Sequence, residues 1–161
     1  MNPTAPDAIA GSDGDDTLNG GDGNNVIWGG AGADMLTGGN GTDFIFANGT
    51  DQTTGGPGAD TFFVDVSGFP GPLPTITDYN PAQDDSIRLF TSTQDFNNFA
   101  QGFWDQITNS LLGVQVSPQF LVASTNNQPP PPTDPAYAAG ASLAQDPTVA
   151  ALFANQTAMT G

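Results

Sequence analysis

The chain contains no cysteine, histidine, lysine or glutamate, and only one of its 161 residues, Arg88, is basic. Without cysteine it can hold neither a disulfide nor a thiolate zinc site. Without histidine it lacks the usual general base and the usual transition-metal ligand. With lysine and glutamate also missing, a serine would have no ordinary activating partner, so the chain is expected not to be an enzyme. The pairs Asp15-Asp16 and Asp84-Asp85 could in principle serve glycoside hydrolysis. They fall in glycine-rich loops or at the start of a strand, which argues for a cation or solvent as their neighbour. The 17 acidic residues are all aspartate and leave a formal charge of −16, which repels nucleic-acid phosphates and anionic lipid. The N-terminus MNPTAPDAIA has neither the basic nor the apolar region of a secretory signal. No apolar run approaches the roughly 20 residues that span a bilayer, so membrane insertion is not expected.

What the chain does have is glycine and aspartate in register. From Gly11 to Phe63 it reads GSDGDDTLN, GGDGNNVIW, GGAGADMLT, GGNGTDFIF, a shortened ANGTDQTT, and GGPGADTFF. Position six is Asp16, Asn25, Asp34, Asp43, Asp51 and Asp60, and stepping back nine from Asp16 reaches Asp7 in a worn first unit. Position eight runs Ile9, Leu18, Ile27, Leu36, Ile45, Thr53 and Phe62. Glycines permit tight turns, and the three residues around position eight form a short strand with that side chain buried. Two units make one coil, so the predicted fold is all-β, a parallel β-roll of two sheets with loops stacked along two edges. One edge carries the loops Gly11–Asp16, Gly29–Asp34 and Ala47–Asp51; the other carries Asn2–Asp7, Gly20–Asn25, Gly38–Asp43 and Gly55–Asp60. Clustered carboxylates and free carbonyls are hard oxygen ligands suited to Ca2+. Candidate ligands on the first edge are Gly11, Asp13, Gly14, Asp16, Gly29, Ala31, Gly32, Asp34, Asn48, Gly49 and Asp51. On the second they are Asp7, Gly20, Asp22, Gly23, Asn25, Gly38, Asn40, Gly41, Asp43, Gly55, Pro57, Gly58 and Asp60, with Asp78 and Asp85 beyond. About five gaps between stacked loops could each take an ion, and the loops around Asp34 and Asp43 are expected to bind best.

On these units, residues 7 to 63 resemble the RTX (repeats-in-toxin) family of bacteria. Thr75 to Pro81 and Asp84 to Leu89 look like the closing strands of its serralysin-type protease members. The resemblance implies hemolysin-type calcium-binding repeats, export through a type I channel by an uncleaved C-terminal signal, and folding on extracellular calcium. The physics agrees: stacked aspartates repel until a divalent ion offsets the repulsion, which links binding to folding.

The outward positions differ between the two sheets. Even units present Val26, Trp28, Phe44, Phe46 and Phe63, an apolar face too large to leave in water and a candidate interaction face. Odd units present mostly polar residues, among them Thr17, Thr37 and Thr54. From Asp95 to Leu112 the apolar residues recur at helical spacing, with Ser92 and Asp95 as a capping box, so an amphipathic helix can cover the aromatic sheet or meet a second subunit. Short strands are expected at Val114–Val116 and Phe120–Val122, and a Pro-rich linker at 124–135. Two helical segments, near Ala136–Ala144 and Thr148–Ala154, should follow Asp-Pro starts. The expected organisation is a roll over 1–90, a helical cover over 91–123, the linker, and a C-terminal arm or secretion signal over 136–161. The expected function is a secreted calcium-binding protein with a structural or self-associating role, as a homo-oligomer or filament, at the cell surface or outside the cell. Met1 and the lack of an upstream linker favour this over the export module of a larger enzyme. A carbohydrate- or ice-binding module is the third alternative.

Overall fold

The structure is a computed structural model that describes residues 8–112 and 135–144. Asp7 with its loop, the strands expected at Val114–Val116 and Phe120–Val122, the linker up to Asp134, and the helix expected at Thr148–Ala154 lie outside the described residues.

Among the described residues, nine strands form two parallel sheets. β1 (Ala8–Ala10), β3 (Val26–Trp28), β5 (Phe44–Ala47), β7 (Thr61–Asp65) and β9 (Ser86–Phe90) lie side by side in that order, and β2 (Thr17–Asp22), β4 (Met35–Asn40), β6 (Gln52–Thr54) and β8 (Thr75–Ile76) make the second sheet. Strands alternate between sheets along the chain, which is the winding of a β-solenoid of about three turns. Register follows the repeat. Ala8 pairs with Val26 and Val26 with Phe44, each one 18-residue coil apart, whereas Phe44 pairs with Thr61 because the fifth unit is one residue short. The strands β2 and β4 run to six residues, longer than the three the repeat predicts, because Gly21 continues the ladder opposite Gly39.

Position eight forms the inner core: Ile27, Leu36, Ile45 and Phe62 are buried together with Val64, flanked by Leu18 and Ile76. Thr53 occupies the same row and is fully buried, its hydroxyl donating to Thr75 O at 3.3 Å. The two closing segments enter different sheets, β8 beside β6 and β9 beside β7, with a 3-10 turn at Pro81–Gln83 between them. Ile87 pairs with Phe62 yet is 41% exposed, and Leu89 is 60% exposed, because β9 is the last strand of its sheet.

The aromatic face is covered from within the chain. α1 (Thr93–Leu112) starts where Asp95 N–H donates to Ser92 Oγ at 3.3 Å, the expected cap. It lays Phe96, Phe99, Ala100, Phe103 and Trp104 onto Val26, Trp28, Phe44, Phe46 and Phe63. Phe46 and Phe63 stack at 4.6 Å with 13° between their planes, and Trp28 meets Trp104 at 6.4 Å. The face singled out for interaction therefore has its partner in this chain's own helix. Arg88 rests its guanidinium 4.7 Å from the centre of the Phe99 ring, a cation–π contact beside the same cluster. α2 (Pro135–Ala144) begins at a proline, as the Asp134-Pro135 pair predicts, and packs on α1, with Ala139 and Leu143 against the aromatic cluster. Gly140 makes this approach possible, since a Cβ there would collide with Phe99 O.

Candidate metal centre

The position-six side chains form two ladders. Asp16 N–H donates to Asp34 Oδ1 at 2.8 Å and Asp34 N–H to Asp51 Oδ1 at 3.0 Å on one edge. On the other, Asn25 N–H donates to Asp43 Oδ1 at 2.8 Å, Asp43 N–H to Asp60 Oδ1 at 2.9 Å, and Asp60 N–H to Asp85 Oδ1 at 3.1 Å. Each aspartate thus reaches back one coil with one oxygen. Asp85 takes the position-six place in the closing coil, its Oδ2 accepting from Asn80 N–H at 2.8 Å.

The second oxygen sorts the sites. In Asp34, Asp43 and Asp60 the Oδ2 atom is buried and has no partner among the described residues. In Asp16 it accepts from Ser12 N–H, and in Asp51 from Asn48 N–H, both at 2.8 Å. The fifth unit, where Ala47 replaces the first glycine, is therefore one in which the carboxylate is bound by its own loop. Elsewhere position one must be glycine, because the carboxylate folds back over it: a Cβ on Gly38 would run into Asp43 Oδ2, and a Cβ on Gly11 would stand 2.7 Å from Asp16 Oδ2.

The carbonyls complete the cradle. The position-four oxygens of Gly14, Gly23 and Gly41 lie where a Cβ on Gly32, Gly41 or Gly58 of the next loop would stand, and Gly29 O and Gly38 O lie likewise against Gly11 and Gly20. Position three serves the stacking instead, with Gly14 N–H donating to Ala31 O, Gly23 N–H to Asn40 O and Gly41 N–H to Pro57 O. The exposed carboxylates of Asp13 and Asp22 sit on the rim; Asp22 accepts from Asn40 Nδ2 at 2.7 Å. Asp78 caps the last glycine loop, its two oxygens accepting from Gly55 and Gly56 N–H. Gly49 turns the short fifth loop at φ 57°.

Three residues help hold the loops together in a way sequence reasoning did not assign to them. Asp15 and Asn24, at position five, accept from Ala33 and Thr42 N–H one coil ahead. Gln83 donates from Nε2 to Gly56 O and Gly58 O, both at 3.2 Å. A short polar residue at position five of a glycine-rich unit was the sequence signal for the first two.

Burial raises the buried carboxyls above their ordinary range: Asp43 to about 7, Asp51 and Asp60 to about 6, and Asp34 in the same direction. Hydrogen bonds accepted from backbone N–H groups pull the other way, and neighbouring carboxylates add repulsion, Asp60 on Asp43 and Asp85 on Asp60. An ionised carboxylate buried without a partner costs several kcal/mol, about what a cation in the gap offsets. The donor set of one or two carboxylates with several carbonyls is all hard oxygen, which fits calcium. Among the described residues no three carboxylates converge on one point, so main-chain oxygens must supply the remainder.

The profile of the RTX calcium-binding nonapeptide repeat matches residues 10–45 in four copies. A solved structure, the AlgE6R3 subunit of the Azotobacter vinelandii mannuronan C5-epimerase, is similar at 39% identity over 49% of this chain, with a TM-score of 0.40. The match covers 46% of that subunit, so this chain spans about half its length. No curated protein matches the chain. Residues 10–45 match the RTX calcium-binding nonapeptide repeat, and they lie within the parallel β-roll that the described strands form from Ala8 to Phe90.

Proposed function

We propose that the chain is a secreted calcium-folded RTX protein with a structural, non-enzymatic role. The observation that carries this reading is the row of buried, unpartnered carboxylate oxygens on Asp34, Asp43 and Asp60. A roll that closes around such groups is favoured only when cations occupy its gaps. Extracellular modules bind calcium with dissociation constants of about 10⁻⁴ to 10⁻³ M, so the chain would stay open at cytosolic calcium and fold outside. That suits export in an unfolded state by a type I route. No helix among the described residues is long and apolar enough to cross a membrane. Several ions per chain are expected, since three loops carry the unpartnered oxygen. Self-association would use the end of the roll, where β9 is an edge strand and Ile87 and Leu89 are exposed, because α1 already covers the aromatic face.

Calcium titration followed by circular dichroism, with the solution mass measured at each end point, tests both parts. The chelated chain should be largely unfolded and the calcium form β-rich and larger than a monomer. A β-rich spectrum in excess chelator would refute the folding switch, and a monomer at millimolar calcium would refute self-association.

A further inference from the structure

One place in the position-six ladders carries an amide. Asn25 is fully buried, and its N–H donates to Asp43 Oδ1 as its aspartate counterparts do. Its side-chain Nδ2 lies 3.4 Å from Gly23 O and 3.5 Å from Gly38 O. Gly23 holds position four of the same loop and Gly38 position one of the next, so the two carbonyls face the amide from opposite sides of one gap.

The neighbouring gap on this edge, between Gly38–Asp43 and Gly55–Asp60, repeats the backbone. Gly55 O lies close to where a Cβ on Gly38 would stand, as Gly38 O does for Gly20, and Gly41 O takes the place of Gly23 O. Here, however, the inner atom is Asp43 Oδ2, an acceptor among acceptors with no partner among the described residues. An amide NH2 offers two hydrogens with partial positive charge, whereas a carboxylate offers none. The same pair of carbonyls therefore meets a donor in one gap and needs a cation in the next.

We propose that Asn25 closes the gap between Gly20–Asn25 and Gly38–Asp43 without an ion, its amide bridging Gly23 O and Gly38 O, whereas the gaps with an unpartnered carboxylate oxygen would hold calcium. This rests on calcium being the ion of those other gaps. The calcium count of the chain is then one short of what the stacked loops suggest. The amide also spares this edge one buried negative charge, so the edge contains one coil contact that needs no metal.

The calcium bound per chain at saturation, measured by equilibrium dialysis and atomic emission on the full-length wild type, Asn25→Asp and Asn25→Ala, tests the proposal. Asn25→Asp should bind one ion more than the wild type. Asn25→Ala should bind the same number as the wild type, while its calcium-induced folding midpoint moves to a severalfold higher concentration. Equal counts for the wild type and a folded Asn25→Asp would overturn the proposal. So would a count one lower for Asn25→Ala, which would make the Asn25 carbonyl a ligand; this variant decides the matter should Asn25→Asp fail to fold. A wild type that takes up no calcium would overturn the calcium reading itself, while the other outcomes leave that reading standing.

Discussion

The metal-free roll should be more stable in mild acid than at neutral pH. Asp43 is fully buried, and burial pushes its carboxyl to about 7 from the ordinary 3.8. A carboxyl raised on folding favours the folded state when protonated. Its contribution is complete below 3.8 and is lost as pH rises through about 7. The difference is about three pH units, and at about 1.4 kcal/mol per unit the ionised group costs the metal-free fold at most about 4 kcal/mol. Asp51 and Asp60, each raised to about 6, push in the same direction over pH 4 to 6. Domains are commonly stable by only about 5–15 kcal/mol, so these groups decide whether the chelated chain folds at all. Thermal melts in excess chelator at pH 5 and pH 7.5, followed by circular dichroism, should give the higher midpoint at pH 5. With saturating calcium the order should shrink or reverse, because protons then compete with the ion for the same oxygens. A chelated chain whose midpoint is flat across this range, or higher at pH 7.5, would refute the claim that unpartnered buried carboxylates hold the roll open.

Two further perturbations separate the metal edges from the aromatic face. Trp28→Asp places a charge between Phe46 and Trp104 at a position 1% exposed, and should cost about 3–5 kcal/mol or more while leaving the calcium count unchanged. Its readouts are the thermal midpoint and the fluorescence of Trp104, and an unchanged midpoint would sink the role assigned to the face. Gly41→Ala would add a Cβ that collides with Gly23 O at a φ of 137°, whereas Gly14→Ala, at φ 102°, meets nothing within 4 Å. Both are strained, at about 1–3 kcal/mol, but the first should shift the calcium midpoint of folding further. Equal shifts would show that loop stacking is not limited by this contact.

Repetition made much of the fold legible. An apolar residue two places after every position-six residue but Asp51 fixes the inner row, and a period of nine fixes which strands share a sheet, because alternate units must stack. The lost glycine at Ala47 was visible too, and with it the register step that pairs Phe44 with Thr61. The aromatic outer face and the helix to cover it could be read from spacing, since both are periodic. The choice between covering its own roll and meeting a second subunit could not. Periodicity gives a helix its apolar stripe but not the partner of that stripe, and the short Phe90-to-Thr93 connection together with the Gly140 approach settles it.

The site divides in the same way. Sequence alone determined that oxygen-rich loops stack in two rows and that a hard cation suits them. Only the tertiary structure decided which carboxylate oxygens are left without a partner. Asp16 and Asp51 occupy the same repeat position as Asp34 and Asp43, yet a neighbouring N–H satisfies Oδ2 in the first pair and, among the described residues, none reaches Oδ2 in the second. The repeat sets the residue at each place, but hydrogen-bond satisfaction depends on how the coil before and the coil after come to rest against it, and that is a property of the stack.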